Sequence, residues 1–331
     1  MLLCAASLGP PSGGLFFATP VVYQPLMRIL LTGSSGWLGQ TLAPRLKQDG
    51  HEVVGLDIIG GAHTNVIGSV ADRAVVDRAM RGVEAVIHSG ALHKPDIARH
   101  PASAFIATNI QGTQNLLEAA VAAKVTRFAF TSTTSLMISP AIRAGKAGGA
   151  KKAAWITEDM VPEPRNIYGI TKLGAERLCW LAHHEQGLST VVLRTARFFP
   201  EEDDMAHEIA QSAENTKANE FLFRRLTVED AAEAHVAALQ RANAIGFDVF
   251  VICAPTPFQP EDCEALISDA PSVVARYFPD YPALYAARGW TMFSSIDRVY
   301  SAAKAEAGLG FRCRTGFGEV LEGLRPHALA R

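Results

Sequence analysis

The sequence predicts an α/β fold, a doubly wound parallel sheet with a small C-terminal cap, and three observations predict it. Short runs rich in Val, Ile and Leu alternate with helical segments from residue 28 to residue 193. A glycine-rich turn stands between the first apolar run and the first helix. Beyond residue 255 the alternation gives way to short helical pieces broken by prolines and aromatic residues. Alternating strands and helices imply parallel strands joined by crossovers, and right-handed crossovers put helices on both faces of one sheet.

Taken in order, residues 28–31 read as the first strand, 37–48 as a helix closed by Gly50, and 52–56 as the second strand. A helix over 71–80 precedes a third strand at 85–88, and a long helix over 102–123 precedes a fourth at 127–130. Gly, Ala, Lys and Arg dominate 141–154, which reads as a mobile loop. A helix over 168–185 and a strand at 190–193 follow, then a helix over 228–241 and a strand at 249–253. The expected division is therefore a sheet domain over 27–195 and a cap over 196–331, with the part near 226–255 returning to pack on the sheet.

Residues 1–26 are apolar but interrupted by Gly9-Pro10-Pro11 and Gly13-Gly14, so they make no spanning helix. No Lys or Arg precedes the apolar part, as a secretory signal requires. They read as a disordered extension, or as an upstream start ahead of Met27. The formal net charge is -2, which excludes nucleic acid or an anionic membrane as the main partner. Five scattered cysteines without a CxxC pair read as thiols in a reducing, cytoplasmic setting, with neither a disulfide framework nor a metal site.

The chemistry begins at Gly33-Ser34-Ser35-Gly36-Trp37-Leu38-Gly39. Glycines between a strand and a helix let the backbone approach a diphosphate, which the helix N–H groups and dipole then hold. That placement makes the turn a dinucleotide site. Asp57 closes the second strand some twenty residues on, where a carboxylate accepts from the adenosine ribose hydroxyls and repels a 2′-phosphate. The neutral Ile58-Ile59-Gly60 that follows favours NAD over NADP. Asp72 divides evenly between an adenine contact and a helix-terminal residue.

Tyr168 and Lys172 are four residues apart, one helical turn on one face. An unperturbed phenol titrates near ~10, and a neighbouring ammonium together with a positive nicotinamide stabilises phenolate. Such a tyrosine exchanges a proton with a substrate hydroxyl or carbonyl while hydride moves to or from the nicotinamide. The cluster Thr131-Ser132-Thr133-Thr134-Ser135 ends the fourth strand, the edge of the sheet where ligands of open α/β folds bind.

With these motifs in order over nearly the whole chain from Met27, the sequence resembles the extended short-chain dehydrogenases/reductases of the NAD-dependent epimerase/dehydratase family. Further matches are His88-Ser89-Gly90-Ala91, Asn109-Ile110-Gln111-Gly112-Thr113-Gln114-Asn115, Leu193-Arg194 and Leu226-Thr227-Val228-Glu229-Asp230. The resemblance implies a Rossmann-type fold with a substrate-binding cap and NAD as cofactor. It makes Thr133 the catalytic hydroxyl, Tyr168 the acid/base and Lys172 the catalytic lysine. Gly33, Ser35, Gly36, Trp37, Leu38, Gly39, Asp57, Ser89, Gly90, Ala91, Tyr168 and Lys172 would then hold the cofactor. Asn109 joins them as a residue that supports the active-site helix.

Departures narrow the reaction. Dehydratases of the family carry Asp-Glu after the catalytic threonine, where this chain has Thr134 and Ser135, which cannot ionise. An acid from the 141–155 segment or Glu158 would be needed instead. The expected function is an oxidoreductase or epimerase moving hydride between bound NAD and a sugar or sugar-nucleotide carbon. The alternatives are a dehydrogenase/reductase of a small non-nucleotide compound and a non-catalytic NAD sensor; retention of Tyr168 and Lys172 argues against the sensor.

The acidic run Glu201-Glu202-Asp203-Asp204 lies in a short segment before the Val228 motif and sits poorly with a full sugar-diphosphate pocket. His93, Lys94, Thr134 and Arg298 are the candidate substrate contacts. Arg194 either holds an anion or is structural. The apolar stripes on 102–123 and 168–185 are wider than one core face needs, and the resemblance implies that these helices pair across a two-fold axis as the four-helix bundle of a homodimer.

Overall fold

Seven strands pair in parallel in the order β3-β2-β1-β4-β5-β7-β8, the doubly wound sheet that the alternation predicts. They are β1 (Arg28–Thr32), β2 (Glu52–Asp57), β3 (Val66–Ile67), β4 (Ala85–His88), β5 (Arg127–Thr133), β7 (Ser189–Thr195) and β8 (Phe247–Ile252). A separate parallel pair joins β6 (Ala154–Ile156) to β9 (Arg298–Tyr300). The computed structural model describes residues 26–199 and 211–325. The acidic run at 201–204, the extension at 1–25 and Cys4 lie outside the described residues.

Helices cover both faces, so each central strand is buried on both sides and reads as a continuous apolar run. On one face α1 (Trp37–Gln48) and α8 (Val228–Ile245) pack over Ile29, Leu31, Ile87, Ala129 and Val191. On the other, α2 (Arg73–Ala79), α4 (Gly112–Ala122) and α6 (Ile167–Gln186) close over Leu30, Val86, Phe128, Phe130 and Val192. A third core, with Leu222, Phe258, Tyr285, Val299 and Phe317, belongs to the cap. Its helices are α7 (Ala213–Glu220), α9 (Cys263–Ser268), α10 (Ala270–Tyr277), α11 (Tyr281–Ala286) and α13 (Phe317–Leu324). The neighbouring α12 (Ala303–Leu309) instead packs on β8.

Two expectations need correction. The segment read as a mobile loop is ordered: it forms α5 (Pro140–Ala144), a 3-10 turn at Gly145–Gly148 and then β6. Its backbone is taken up from far along the chain, Ala153 N–H donating to Cys263 O at 2.8 Å and Ala154 N–H to Asp297 O at 2.9 Å. Local composition carries no trace of such partners. The single helix expected over 102–123 is α3 (Ala102–Phe105) running through a π turn at Ile106–Gln111 into α4. A π turn inserts a residue into the ladder, and here it swings Asn109 inward, 2% exposed. β3 and α7 were not expected; two residues of strand and a polar eight-residue helix fall below what periodicity detects.

Candidate active site

The carboxyl ends of β1, β2, β4 and β5 open onto one cleft of about 360 Å³. It lies where the strand order reverses, between β1 and β4, the place at which open α/β sheets bind ligands. Gly33 has φ +72, and a Cβ there would stand 2.8 Å from the Gly90 nitrogen. A Cβ on Gly39 would meet Gly33 O at 2.1 Å, so helix and turn pack only because both residues are glycine. No side chain caps the N-terminus of α1. Its first-turn N–H groups beside Gly36 therefore suit the diphosphate of a dinucleotide.

Asp57 lines the cleft at the end of β2. Its carboxylate accepts from Ser35 N–H at 2.9 Å and Ile59 N–H at 3.0 Å, which binds the glycine turn to the neighbouring strand. Ile58 and Ile59 are exposed beside it, an apolar lip suited to a purine face. Asp72 stands outside the cleft wall and caps α2, accepting from Ala74 N–H at 2.9 Å. Of its two readings, the helix-terminal one is what the structure contains.

Beneath Ser89, Gly90 and Ala91, which wall the cleft, runs a chain of hydrogen bonds that sequence reading missed. Gly90 N–H donates to Thr32 Oγ1 at 3.0 Å, and that oxygen lies 2.7 Å from His88 Nδ1. His88 Nε2 lies 3.0 Å from Thr113 Oγ1, whose proton goes to Asn109 O at 2.7 Å. Because Thr113 donates onward, His88 carries its proton on Nε2 and accepts from Thr32 on Nδ1. Burial, reinforced by the Lys172 ammonium, pushes His88 down to about 3, so it stays neutral. His235 serves Thr131 likewise: its Nδ1 faces Ala231 O and its Nε2 lies 2.7 Å from the threonine oxygen. The one available signal for His88 was a lone polar residue ending an apolar strand.

Thr133, Tyr168 and Lys172 are all buried and none is on the cleft wall, which Tyr168 meets through the His93 ring, 5.7 Å away between centroids. Thr133 ends β5, while Tyr168 and Lys172 share the inner face of α6, whose Asn166 caps it by accepting from Gly169 N–H at 3.0 Å. Burial dominates the charges in the protein itself. It pushes the Tyr168 phenol up to about 12, opposed by the Thr133 hydroxyl, and the Lys172 ammonium down to about 8. Lys172 Nζ sits 4.3 Å above the Phe130 ring. One turn on, Glu176 accepts from Ser132 Oγ at 2.5 Å and from Arg194 at 2.8 and 3.1 Å. Arg194 is therefore structural, and Glu176, four residues after Lys172, is a partner the sequence reading overlooked.

Asn109 is not on the cleft wall. Its amide accepts from Leu92 N–H at 2.9 Å and donates to Leu92 O and Thr171 Oγ1, both at 3.0 Å, bracing the cleft from behind. His93 lines the cleft with Phe198 and Phe199, and Lys94 opens the 3-10 turn Lys94–Ala98. Thr134 is buried, with its hydroxyl donating to Thr195 O at 3.3 Å. Arg298 lies elsewhere, in a second cavity of about 200 Å³ lined also by Arg143, Lys146 and Arg224. Among the described residues no cluster of metal ligands occurs, and no helix is long and apolar enough to cross a membrane.

Against known proteins, the family model for the NAD-dependent epimerase/dehydratase family matches residues 29–253. The low-salt glycan biosynthesis protein Agl12 of Haloferax volcanii is 31% identical over 188 residues, 52% of this chain and 57% of that protein. A uronate dehydrogenase of Pseudomonas putida is 29% identical over 188 residues, 55% of this chain and 65% of that protein. The chain spans about half the length of the curated relatives it matches first. A short-chain dehydrogenase/reductase superfamily protein from Agrobacterium tumefaciens, solved with bound NAD, superposes with a TM-score of 0.64 at 23% identity, covering 90% of this chain and 95% of that one.

Proposed function

Because this chain belongs to the NAD-dependent epimerase/dehydratase family, with NAD as its cofactor, we propose that it moves hydride between NAD and a carbinol or carbonyl carbon of a sugar or sugar nucleotide. The observation that carries this reading is the hydrogen bond between the Thr133 and Tyr168 side chains, with the Tyr168 ring packed on His93 of the cleft wall and Lys172 one helical turn on. Gly33 to Gly39 and Asp57 would hold NAD, which would supply the hydride acceptor or donor. Lys172, one helical turn on from Tyr168 in α6, carries the positive charge of the pair. Tyr168 takes the proton from the substrate hydroxyl, or returns it to the carbonyl, with Thr133 orienting that oxygen. Ser89, Gly90 and Ala91 form the floor of the cofactor site, and Asn109 holds that floor against α6.

Residues 196–331 act mainly as the substrate cap. Arg298, with Arg143 and Lys146, gives the second cavity a positive field suited to a carboxylate or phosphate on the substrate. Arg165 feels the same field, its guanidinium pushed below its usual range by burial and then by Arg143 and Arg298. Thr134 and Ser135 supply no carboxylic acid after the catalytic threonine, which favours epimerisation or oxidation/reduction over dehydration. Glu158 does not replace one: it accepts from Val251 N–H at 2.6 Å, facing β8. The protein works as a cytoplasmic homodimer.

The test is turnover with a panel of uridine-diphosphate hexoses, free uronates and small polyols. Epimer formation without accumulated NADH identifies an epimerase, and NADH accumulation a dehydrogenase. Normal NAD binding with no hydride exchange for any member would overturn the proposal.

A further inference from the structure

His88 ends β4 beneath the cofactor cleft, 1% exposed, with both ring nitrogens engaged. On one side Nδ1 lies 2.7 Å from Thr32 Oγ1, which accepts from Gly90 N–H at 3.0 Å. On the other, Nε2 lies 3.0 Å from Thr113 Oγ1, which donates to Asn109 O of the π turn at 2.7 Å. The Asn109 side-chain amide then donates to Thr171 Oγ1 at 3.0 Å. Thr171 shares its own proton between Ile167 O at 2.9 Å and Tyr168 O at 3.0 Å. A series of hydrogen bonds passing through Asn109 therefore runs from the cleft wall at Gly90 to the helical turn that carries Tyr168 and Lys172.

Donors and acceptors at both ends fix the ring's proton. Thr113 gives its one hydroxyl proton to a carbonyl, so Nε2 is the donor toward it. Thr32 Oγ1 accepts from Gly90 N–H, and among the described residues its own proton meets no acceptor but Nδ1. Both ends give one tautomer, a lone pair toward Thr32 and an N–H toward Thr113. The two links serve different parts of the site. A Cβ on Gly33 would stand 2.8 Å from Gly90 N, and one on Gly90 3.2 Å from Thr32 Oγ1. The Thr32 link thus sets how closely the end of β4 meets the phosphate-binding turn, and the Thr113 link sets how the π turn meets α6. The His88 ring also lies 5.5 Å from the Phe130 ring, over which Lys172 Nζ stands at 4.3 Å.

We propose that His88 is a positioning residue with two separable tasks: Nδ1 holds Thr32 and Gly90 at the cofactor floor, and Nε2–H holds the π turn through which Asn109 and Thr171 place Tyr168 and Lys172. His88 is not on the cleft wall, so it acts only through these neighbours. The second task rests on the hydride-transfer reading; the first concerns the NAD site alone. An aromatic ring that merely filled the core would need neither nitrogen, and a buried polar ring is kept only where both its nitrogens are satisfied.

Separate variants cut the two links. H88N keeps an acceptor near the Nδ1 position and loses the donor toward Thr113. H88Q keeps a donor near the Nε2 position and loses the acceptor toward Thr32, and H88F loses both. Titration of Trp37 fluorescence with NAD is expected to give H88N an affinity within about threefold of the wild type, and H88Q and H88F one about tenfold weaker. At saturating NAD, with the best substrate of the panel above, kcat of H88Q stays within about threefold while H88N and H88F fall about tenfold. T32V and T113V, close in shape to the wild type, cut the same links from their far ends. T32V is expected to follow H88Q and T113V to follow H88N, and this pair decides the matter if the His88 variants do not fold. Wild-type values in H88F, or equal losses of affinity and kcat in both H88N and H88Q, overturn the proposal, since a merely structural histidine gives no such split. Isotope-labelled histidine spectra of the wild type must place the His88 proton on Nε2; an Nδ1–H ring overturns it too. If the wild type turns over no substrate of the panel, the hydride-transfer reading is what fails. The second task is then read from amide hydrogen exchange at residues 170–172, expected to be at least about tenfold faster in H88N and T113V than in H88Q. Equal rates there overturn it.

Discussion

The side-chain amide of Asn109 donates to Thr171 Oγ1 at 3.0 Å, joining the π turn to the helical turn between Tyr168 and Lys172. The same amide satisfies both main-chain groups of Leu92, the residue before His93. Replacing Asn109 by Ala leaves these buried groups unpaired, at roughly 1–3 kcal/mol each. Asn109→Ala is expected to lose about 3 kcal/mol in urea unfolding and at least about tenfold in kcat. An unchanged kcat would mean that the π turn does not position α6.

Tyr168→Phe removes only the phenol oxygen. Hydride exchange is expected to fall at least about a thousandfold, while NAD affinity stays within about threefold. Isotope exchange from labelled substrate into bound NAD measures the first and fluorescence titration the second. Residual exchange near the wild-type rate would remove Tyr168 from the chemistry.

Lys172 carries a linked stability prediction. Its folded-state value is about 8 against an ordinary value of 10.5, so burying its charge costs stability fully below pH 8. That cost fades as pH rises toward 10.5, with a ceiling of about 3 kcal/mol. Lys172→Met should therefore raise the thermal midpoint at neutral pH by a few degrees, abolish activity, and lose its stability advantage near pH ~10. A variant less stable than the wild type at neutral pH would show that Glu176 and the Phe130 ring outweigh desolvation.

Histidines 88, 93 and 235 give the same sign of pH dependence in a lower window. Their values are held at about 3, about 4 and about 4 by burial above all, against an ordinary 6.5. The unfolded chain protonates first, so stability is full above pH 6.5 and is lost as pH falls toward 4. Three such groups set a limiting slope of about 4 kcal/mol per pH unit. Denaturant melts at successive pH values measure it, and a flat profile between pH ~6 and ~5 would contradict the buried neutral rings.

Asp57→Ala removes the acceptor for Ser35 and Ile59 N–H and the carboxylate proposed to meet the adenosine ribose. NAD affinity is expected to fall at least about tenfold, and preference over NADP to narrow by a similar factor. Exposed Ile106 and Ile170, with Trp180 and Leu181, mark the outer faces of the π turn and α6. A homodimer through those faces predicts a two-chain mass at micromolar concentration, shifted to monomer by Trp180→Glu.

The sequence by itself determined the sheet, the glycine turn, Asp57 and the Tyr168–Lys172 pair, because each is written in local spacing. A period of apolar runs, a strand-to-helix glycine and a four-residue helical repeat depend on nearest neighbours along the chain. Only the tertiary structure decided the ordering of 141–154, which rests on β6 meeting β9 more than a hundred residues later. It alone separated Arg194, bound to Glu176, from Arg298 in the cap cavity, since two arginines of equal charge differ only in what lies opposite them. The same holds for the histidines. His88 and His235 are fully partnered inside the fold while the His93 ring keeps an unpartnered nitrogen at the cleft, a difference set by burial and by hydrogen bonds between distant strands and helices.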